Sequence, residues 1–403
     1  MIKKILITGL KVGMYVHDLN CGWMDHPFAR SRFKINDQKT LLKVQALNIK
    51  SLYIDTEKGL DLAGAPSRET ANREQQAVVD RLARTTSVKQ PVRKSFQEEV
   101  GNGVEVLRQA NQVIAEMMRD AQTGSKLTSD SAGQIVERMT RSLIRNPDVL
   151  PALTQIRDTD QYTFEHSVGA CALMVAFCHY LDIDAQTIYS IGIGALLHDI
   201  GKVKIPDAIL NKPGRLSDDE FKVMRSHVVH SKRILAQCDG IDSTAMAVAA
   251  EHHERYDGSG YPNGLLGEQM SRYSQIASII DVYDAITSDR CYQKGLQPTE
   301  ALRRLYEWSE TQFNPELTQQ FIRFIGVYPP GSIVELDSGH LALVLSKTDN
   351  PLKPQLRLVY DIKNSRMIPP KDIDLNDTDD QISGYAKVQK WGLSSQQLLK
   401  LML

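Results

Sequence analysis

Seven of the chain's ten histidines lie between residues 166 and 253, a segment of under a quarter of its 403 residues. They are His166, His179, His198, His227, His230, His252 and His253. Most stand beside carboxylates within helical patterns. "GALLHDIGK" ends an apolar run on His198 and Asp199, and "AAEHHERYDG" repeats the device with His252, His253 and Glu254. "SIIDVYDAITSDR" sets Asp281 and Asp284 three apart, on one helical face. "FEHSVG" places His166 near the start of a further helix. Taken singly, each piece reads as an ordinary hydrogen-bonded helix residue. Taken together, they require helices that converge so that rings and carboxylates share a centre. His179, which ends its helix, and His230 both stay ordinary residues, although His230, one turn beyond His227, is placed to serve in its stead.

Neighbours on a helix diverge by about 100°. Adjacent side chains such as His198 and Asp199 can therefore reach two ions of one cluster, with the carboxylate bridging them. Neutral imidazoles with a few carboxylates suit iron, manganese, zinc or nickel rather than calcium or magnesium alone. The donor supply exceeds what one tetrahedral zinc needs, so a two-metal site is expected. Two ions about 3.5–4 Å apart activate a water and clamp both oxygens of a phosphoryl displacement. In "HHERYDGSGYP" the glycines that follow the histidine pair permit positive φ and close backbone approach to a flat ligand.

Composition removes several alternatives. With 48 basic and 49 acidic residues the formal charge is −1, so no global field draws in a nucleic-acid polymer or an anionic membrane. The five cysteines form no CxxC pair, which suits free thiols in a reducing compartment. The start, "MIKKILITGLKVGMYV", has its apolar run broken by Thr8, Gly9 and Lys11 and is not read as a signal peptide. No segment has the length of a membrane span, and a cytoplasmic protein is expected.

Patterning predicts a mainly α chain in four parts. Residues 1–62 form a small α/β module, in which "LKVGMYVHDL" and "KSLYIDTEKG" read as strands around a helix near 37–47. Residues 63–146 comprise a polar linker, helical at most in part, followed by amphipathic helices. There Leu107, Ala110, Ile114, Met117 and Ala121, then Ile135, Met139 and Leu143, form an apolar stripe. That stripe suits packing on a neighbouring helix or, across residues 104–145, on a second copy in a homodimer. Residues 147–325 are almost wholly helical, with a capping box at "SDDE" and Asn314-Pro315 as N-cap and first helical position. Residues 326–403 return to short strands at "IVELDSG", "LALVLSK" and "LRLVYDI".

Over residues 147–325 the sequence resembles the HD-GYP family of bacterial phosphodiesterases, a branch of the HD hydrolases. "HDIGK" at 198 matches the HD motif, "HHERYDGSGYP" fills the extended GYP signature and "DVYDAITSDRCYQK" looks like the third block. The first 62 residues, with "LKVGMYV", "HPF" and "IDTEKG", resemble a module of unassigned role that often precedes such domains. The resemblance implies an HD-type helical bundle and hydrolysis of cyclic di-GMP to linear pGpG, and onward to GMP in some members. It implies two ions, iron or manganese, held by His166, His198, Asp199, His227, His252, His253 and Asp281, with Asp199 as the bridge. Some members hold a third ion through a Glu four residues before the first histidine; here that position is Tyr162, which favours a binuclear site.

The expected mechanism has a metal-bridging hydroxide attack phosphorus in line. Lys202, four residues after His198 and so on the same helix face, holds a phosphate oxygen or eases departure of the ribose oxygen. Gly260 and Tyr261 border a guanine. Arg290 and Lys294 meet the second phosphate or a guanine edge, and Asp284 either orients a metal ligand or touches guanine. The competing reading is a cyclic di-GMP sensor or interaction module with little turnover. In both readings the N-terminal module offers a surface to a signalling partner.

Overall fold

The computed structural model describes residues 1–403 except 22–27, 29–31, 86–91, 157–161, 213, 215, 289–294, 310 and 387. The chain opens with β1 (Ile2–Leu6), β2 (Tyr15–Asp18), β3 (Phe33–Lys34), α1 (Gln38–Gln45) and β4 (Ser51–Asp55). The four strands form an antiparallel sheet in the order β1-β4-β2-β3. Its core is Val16, Ile35, Val44, Leu52 and Ile54. The two strand patterns of the sequence are β2 and β4; β1 comes from the basic-apolar start, where alternation is weak.

This module is docked on the helical body. Asn20 donates to Glu307 at 2.7 Å, its carbonyl accepts from the Trp308 indole at 3.0 Å, and Lys4 pairs with Glu307. Asn48 donates to Asp257 at 2.6 Å.

The stretch expected to be a linker contains α2 (Arg68–Ala83), capped by Ser67. Its buried face is Ala71, Val79 and Ala83, packed on helices near the end of the bundle. Three apolar residues at wide spacing, two of them alanines, carry little hydropathy signal, which is why the stretch reads as a linker helical only in part.

Next come α3 (Phe96–Thr123), α4 (Asp130–Arg145), α5 (Val149–Gln155), α6 (Tyr162–Tyr180) and α7 (Ala185–Leu197). A capping box between Ser95 and Glu98 starts α3, and Gly124 at φ +78° ends it. The stripe of Ala110, Ile114, Met117, Ala121, Ile135, Met139 and Leu143 is buried in the main core, where α3 and α4 lie on each other and on α6 and α7. The chain's own helices occupy that face, so the stripe offers no surface to a second copy. Residues 168–178 of α6 are all buried, as befits a helix apolar on every side.

The bundle continues with α8 (Asp207–Leu210), α9 (Asp218–Leu235), α10 (Ser243–Glu251), α11 (Arg272–Thr287), α12 (Pro298–Trp308) and α13 (Pro315–Ile325). The expected caps are present: Ser217 and Glu220 reciprocate at the start of α9, and Asn314 accepts from two amides ahead of α13. Among the described residues of this bundle there is no strand.

After it come β5 (Ile333–Leu336), β6 (His340–Ser346), β7 (Gln355–Asp361), β8 (Arg366–Asp374), β9 (Ile382–Tyr385) and α14 (Ser395–Met402). The strands form an antiparallel sheet in the order β8-β7-β6-β5-β9. Leu341, Leu343 and Val359 pack on Phe96 and Val100 of α3, on Val149 and Leu153 of α5 and on Met402 of α14. The C-terminal part thus braces the helices that lead into α6. Edge strand β8, with Pro369 and Pro370, and β9 and α14 were not legible as elements.

Candidate metal centre

Five helices deliver the histidines and aspartates to one place. His198 follows the last residue of α7, and His252 follows the last residue of α10. Two helix C-termini, each a partial negative charge, therefore point at the centre and favour cations there. His166 comes from the start of α6, His227 from α9 and Asp281 from α11. All five are buried, as is Asp199.

The imidazole tautomers follow from their partners. Nδ1 of His198 lies 2.7 Å from the Ala195 carbonyl, Nδ1 of His227 lies 2.7 Å from that of Met224 and Nδ1 of His252 lies 3.0 Å from that of Ala249. A carbonyl only accepts, so each Nδ1 carries the proton. Each Nε2 is left with a lone pair, and all three Nε2 atoms are buried without a hydrogen-bond partner, as is Oδ1 of Asp199. Orphaned acceptors facing one another in a dry interior are unfavourable unless something electron-poor sits between them.

The donors fall into two groups, each with its ligand atoms within 4.8 Å of one another: His227, His252 and His253, and His166, His198 and Asp199. Asp199 spans them, with Oδ1 3.4 Å from His227 Nε2 and Oδ2 3.3 Å from His198 Nε2. Asp281 spans them as well, with Oδ1 3.0 Å from His166 Nε2 and Oδ2 3.6 Å from His253 Nδ1. Two donor sets joined by two carboxylates fit a pair of divalent ions. His230 belongs to neither set.

Burial holds the His227 imidazole down at about 4 and that of His253 at about 3, and it also lowers His252. These rings stay neutral and ready to donate lone pairs. Burial opposes the charge on Asp199, but the Lys202 ammonium and the surrounding imidazoles outweigh it and keep the carboxyl well below its usual range. Asp281 is held low in the same way, its hydrogen bond from His166 outweighing burial. His166 differs: burial pulls it down, yet hydrogen bonds to Asp281 and Asp284 raise it to about 9.

Several expectations need correction. Lys202 does not share a helix face with His198. α7 stops at Leu197, and residues 200–204 form a tighter 3-10 turn that brings the Lys202 ammonium to 2.5 Å from Asp199 Oδ2. Close packing on α9 dictates that turn, because a Cβ on Gly201 would meet the His227 carbonyl at 2.0 Å. Ser231 fixes it by accepting from the Gly201 amide and donating to the His198 carbonyl.

Asp284 does not reach outward to a guanine. It is 2% exposed and its Oδ2 sits 2.6 Å from His166 Nδ1, so of the two expected roles its position suits orienting that ring. Glu254, which follows the histidine pair, is no third ligand. It is 1% exposed and accepts from the amides of Asn263 and Leu265 at 2.7 and 3.0 Å, holding the glycine loop closed. Nothing in its residue type separated a loop anchor from a ligand. Gly260 is required by the chain's own backbone, since a Cβ there would lie 2.3 Å from the Arg255 nitrogen. The Tyr261 ring lies 4.8 Å from that of His253. Arg290 and Lys294 lie outside the described residues.

Residues 125–317 match the model of the HD domain, and residues 2–132 match that of a domain of unknown function, DUF3391. A cyclic di-GMP phosphodiesterase of Pseudomonas aeruginosa is 36% identical over 97% of this chain and 94% of its own length. A cyclic di-GMP phosphodiesterase response regulator of Xanthomonas campestris is 34% identical over 48% of this chain and 50% of its own. Among solved structures, an HD-GYP-type protein from Bdellovibrio bacteriovorus covers 81% of this chain and 99% of its own at 17% identity, with a TM-score of 0.47.

Proposed function

Because this chain belongs to the HD-GYP family of HD-domain cyclic di-GMP phosphodiesterases, we propose that it hydrolyses cyclic di-GMP to linear pGpG at the His/Asp centre. The observation that carries this reading is the set of buried, unsatisfied Nε2 and Oδ atoms converging from separate helices.

In this reading His166, His198, Asp199, His227, His252, His253 and Asp281 would hold two divalent ions, iron or manganese, with Asp199 reaching both donor groups. When bound, the ions supply an activated water and neutralise charge on the phosphoryl oxygens. The chain's own groups do the rest. Asp284 keeps the His166 ring turned so that Nε2 faces inward. Lys202, one-fifth exposed and already at Asp199, offers an ammonium that holds a phosphate oxygen or eases departure of the ribose oxygen. Gly260 and Tyr261 border a guanine, with the loop pinned by Glu254. Arg290 and Lys294 serve the second phosphate or a guanine edge. Residues 147–325 carry this chemistry, and residues 1–62 present a surface to a signalling partner. The cytoplasm is the proposed location; no helix among the described residues is long and apolar enough to cross a membrane.

The test is anaerobic purification followed by metal analysis and a hydrolysis assay. Wild type is expected to hold about two ions per chain and to release pGpG, and Asp199→Ala to lose both properties. Metal-loaded wild type that binds the cyclic dinucleotide and leaves it intact would establish the low-turnover sensor instead.

A further inference from the structure

We propose that Arg225 is a substrate-binding residue that meets the phosphate of the cyclic dinucleotide not being cleaved; the inference rests on the substrate reading above. Arg225 stands on α9 and its guanidinium carbon lies 4.2 Å from the centre of the Tyr261 ring. Tyr261 in turn packs on the ring of His253, 4.8 Å away. The cation is thus separated from a metal-donor ring by one aromatic ring, at the rim of the centre. The ring of Phe221, one turn earlier on the same helix, is centred 5.6 Å from it.

This guanidinium is held in place without being neutralised. Arg145, Arg303 and Arg357, three arginines drawn into the fold elsewhere, have carboxylate partners: Glu99, Glu307 and Asp372. Arg225 is only half-buried, and among the described residues no carboxylate lies within ion-pairing distance of it. Contact with an aromatic face orients a planar fork and leaves its N–H groups to meet two phosphate oxygens. The substrate supplies what is missing. A cyclic dinucleotide has two phosphodiesters, and when one lies over the ions the other stays charged and must be desolvated as the ligand enters. A cation fixed by the ring that borders the guanine site meets that charge at little entropic cost. A diester with a single phosphate has nothing to offer it.

The contrast between two substrates tests this. Arg225→Met keeps an unbranched apolar side chain and removes the charge; Arg225→Lys keeps a charge and loses the planar fork. With Arg225→Met the KM for cyclic di-GMP is expected to rise about tenfold, kcat to stay within about twofold, and hydrolysis of bis(p-nitrophenyl) phosphate and metal content to stay unchanged. Arg225→Lys is expected to fall between Met and wild type. An equal loss on both substrates, or a loss of metal, overturns the inference in favour of a merely structural role, and an unchanged KM overturns it outright. Wild type that cleaves bis(p-nitrophenyl) phosphate but neither binds nor cleaves cyclic di-GMP overturns the substrate reading, and the role of Arg225 with it.

Discussion

Asp284 Oδ2 lies 2.6 Å from Nδ1 of His166. A carboxylate outside both donor groups therefore decides how a donor ring is turned. Replacing it with alanine frees the ring and removes the acceptor that makes Nε2 a better donor. Asp284→Ala is expected to weaken metal affinity by about 10–100-fold, measured by titrating metal-free protein. Asp284→Asn keeps an acceptor oxygen and should lose less. An alanine variant with wild-type affinity would remove the orienting role.

The turn after His198 works only because residue 201 has no side chain. A Cβ there would sit 2.0 Å from the His227 carbonyl and 2.3 Å from the Ser231 amide nitrogen, backbone atoms that move only if α9 moves. Gly201→Ala should destabilise the protein by about 3 kcal/mol, at the upper end for overpacking, and lower metal occupancy along with it. Calorimetry and metal analysis on one preparation test the coupling: a variant of normal stability and full occupancy would show that α9 has room to yield.

Glu254 holds the glycine loop through two backbone amides and is not itself a donor to the centre. Its removal should therefore separate binding from metal loading. For Glu254→Ala we expect two ions retained and the KM for cyclic di-GMP raised about tenfold or more. Loss of the ions would mean that the loop is part of the metal scaffold after all.

Glu99 joins α3 to α4. It is fully buried and accepts from Arg145 at 2.6 and 2.7 Å, from Ser142 at 2.8 Å and from Asn102 at 2.6 Å. Burial raises its pKa, but these hydrogen bonds outweigh it and hold the carboxyl below 4.5. A depressed folded pKa contributes stability above the unfolded value, and that contribution is lost as pH falls through the folded one. Glu99→Gln should thus lower the thermal midpoint by a few degrees at pH 7. The gap to wild type should close as pH drops below 4.5. Thermal scans across that range give the answer; a gap independent of pH would mean that the charge contributes nothing.

Much of the site was written in residue type and order. Histidine next to aspartate at the end of an apolar run, and a histidine pair before a glycine-rich turn, named His198, Asp199, His252 and His253 before any coordinates. Helix caps at Ser217 and Asn314 were legible because capping is a local interaction. The helix α2 was not, since the alanines it buries look like any other alanines until a partner surface exists. Glu254 and Asp284 show the same limit: a carboxylate reads alike whether it binds an ion, turns a ring or ties down two amides.

By itself the sequence supplied the candidate histidines and aspartates, the helical class of residues 147–325 and the strands β2, β4, β5, β6 and β7, because residue type is written directly and periodicity sets an element within a few turns of chain; the full candidate donor set came with the family resemblance. Only the tertiary structure decided that the apolar stripe of α3 and α4 faces the chain's own core. It also decided that Lys202 reaches Asp199 by a 3-10 turn, that Asp199 and Asp281 each span two donor groups, and that Arg225 lies over Tyr261. The physical reason is distance along the chain. These relationships join residues tens to more than a hundred positions apart, or depend on how closely two helices pack, and no local pattern encodes which surfaces will meet.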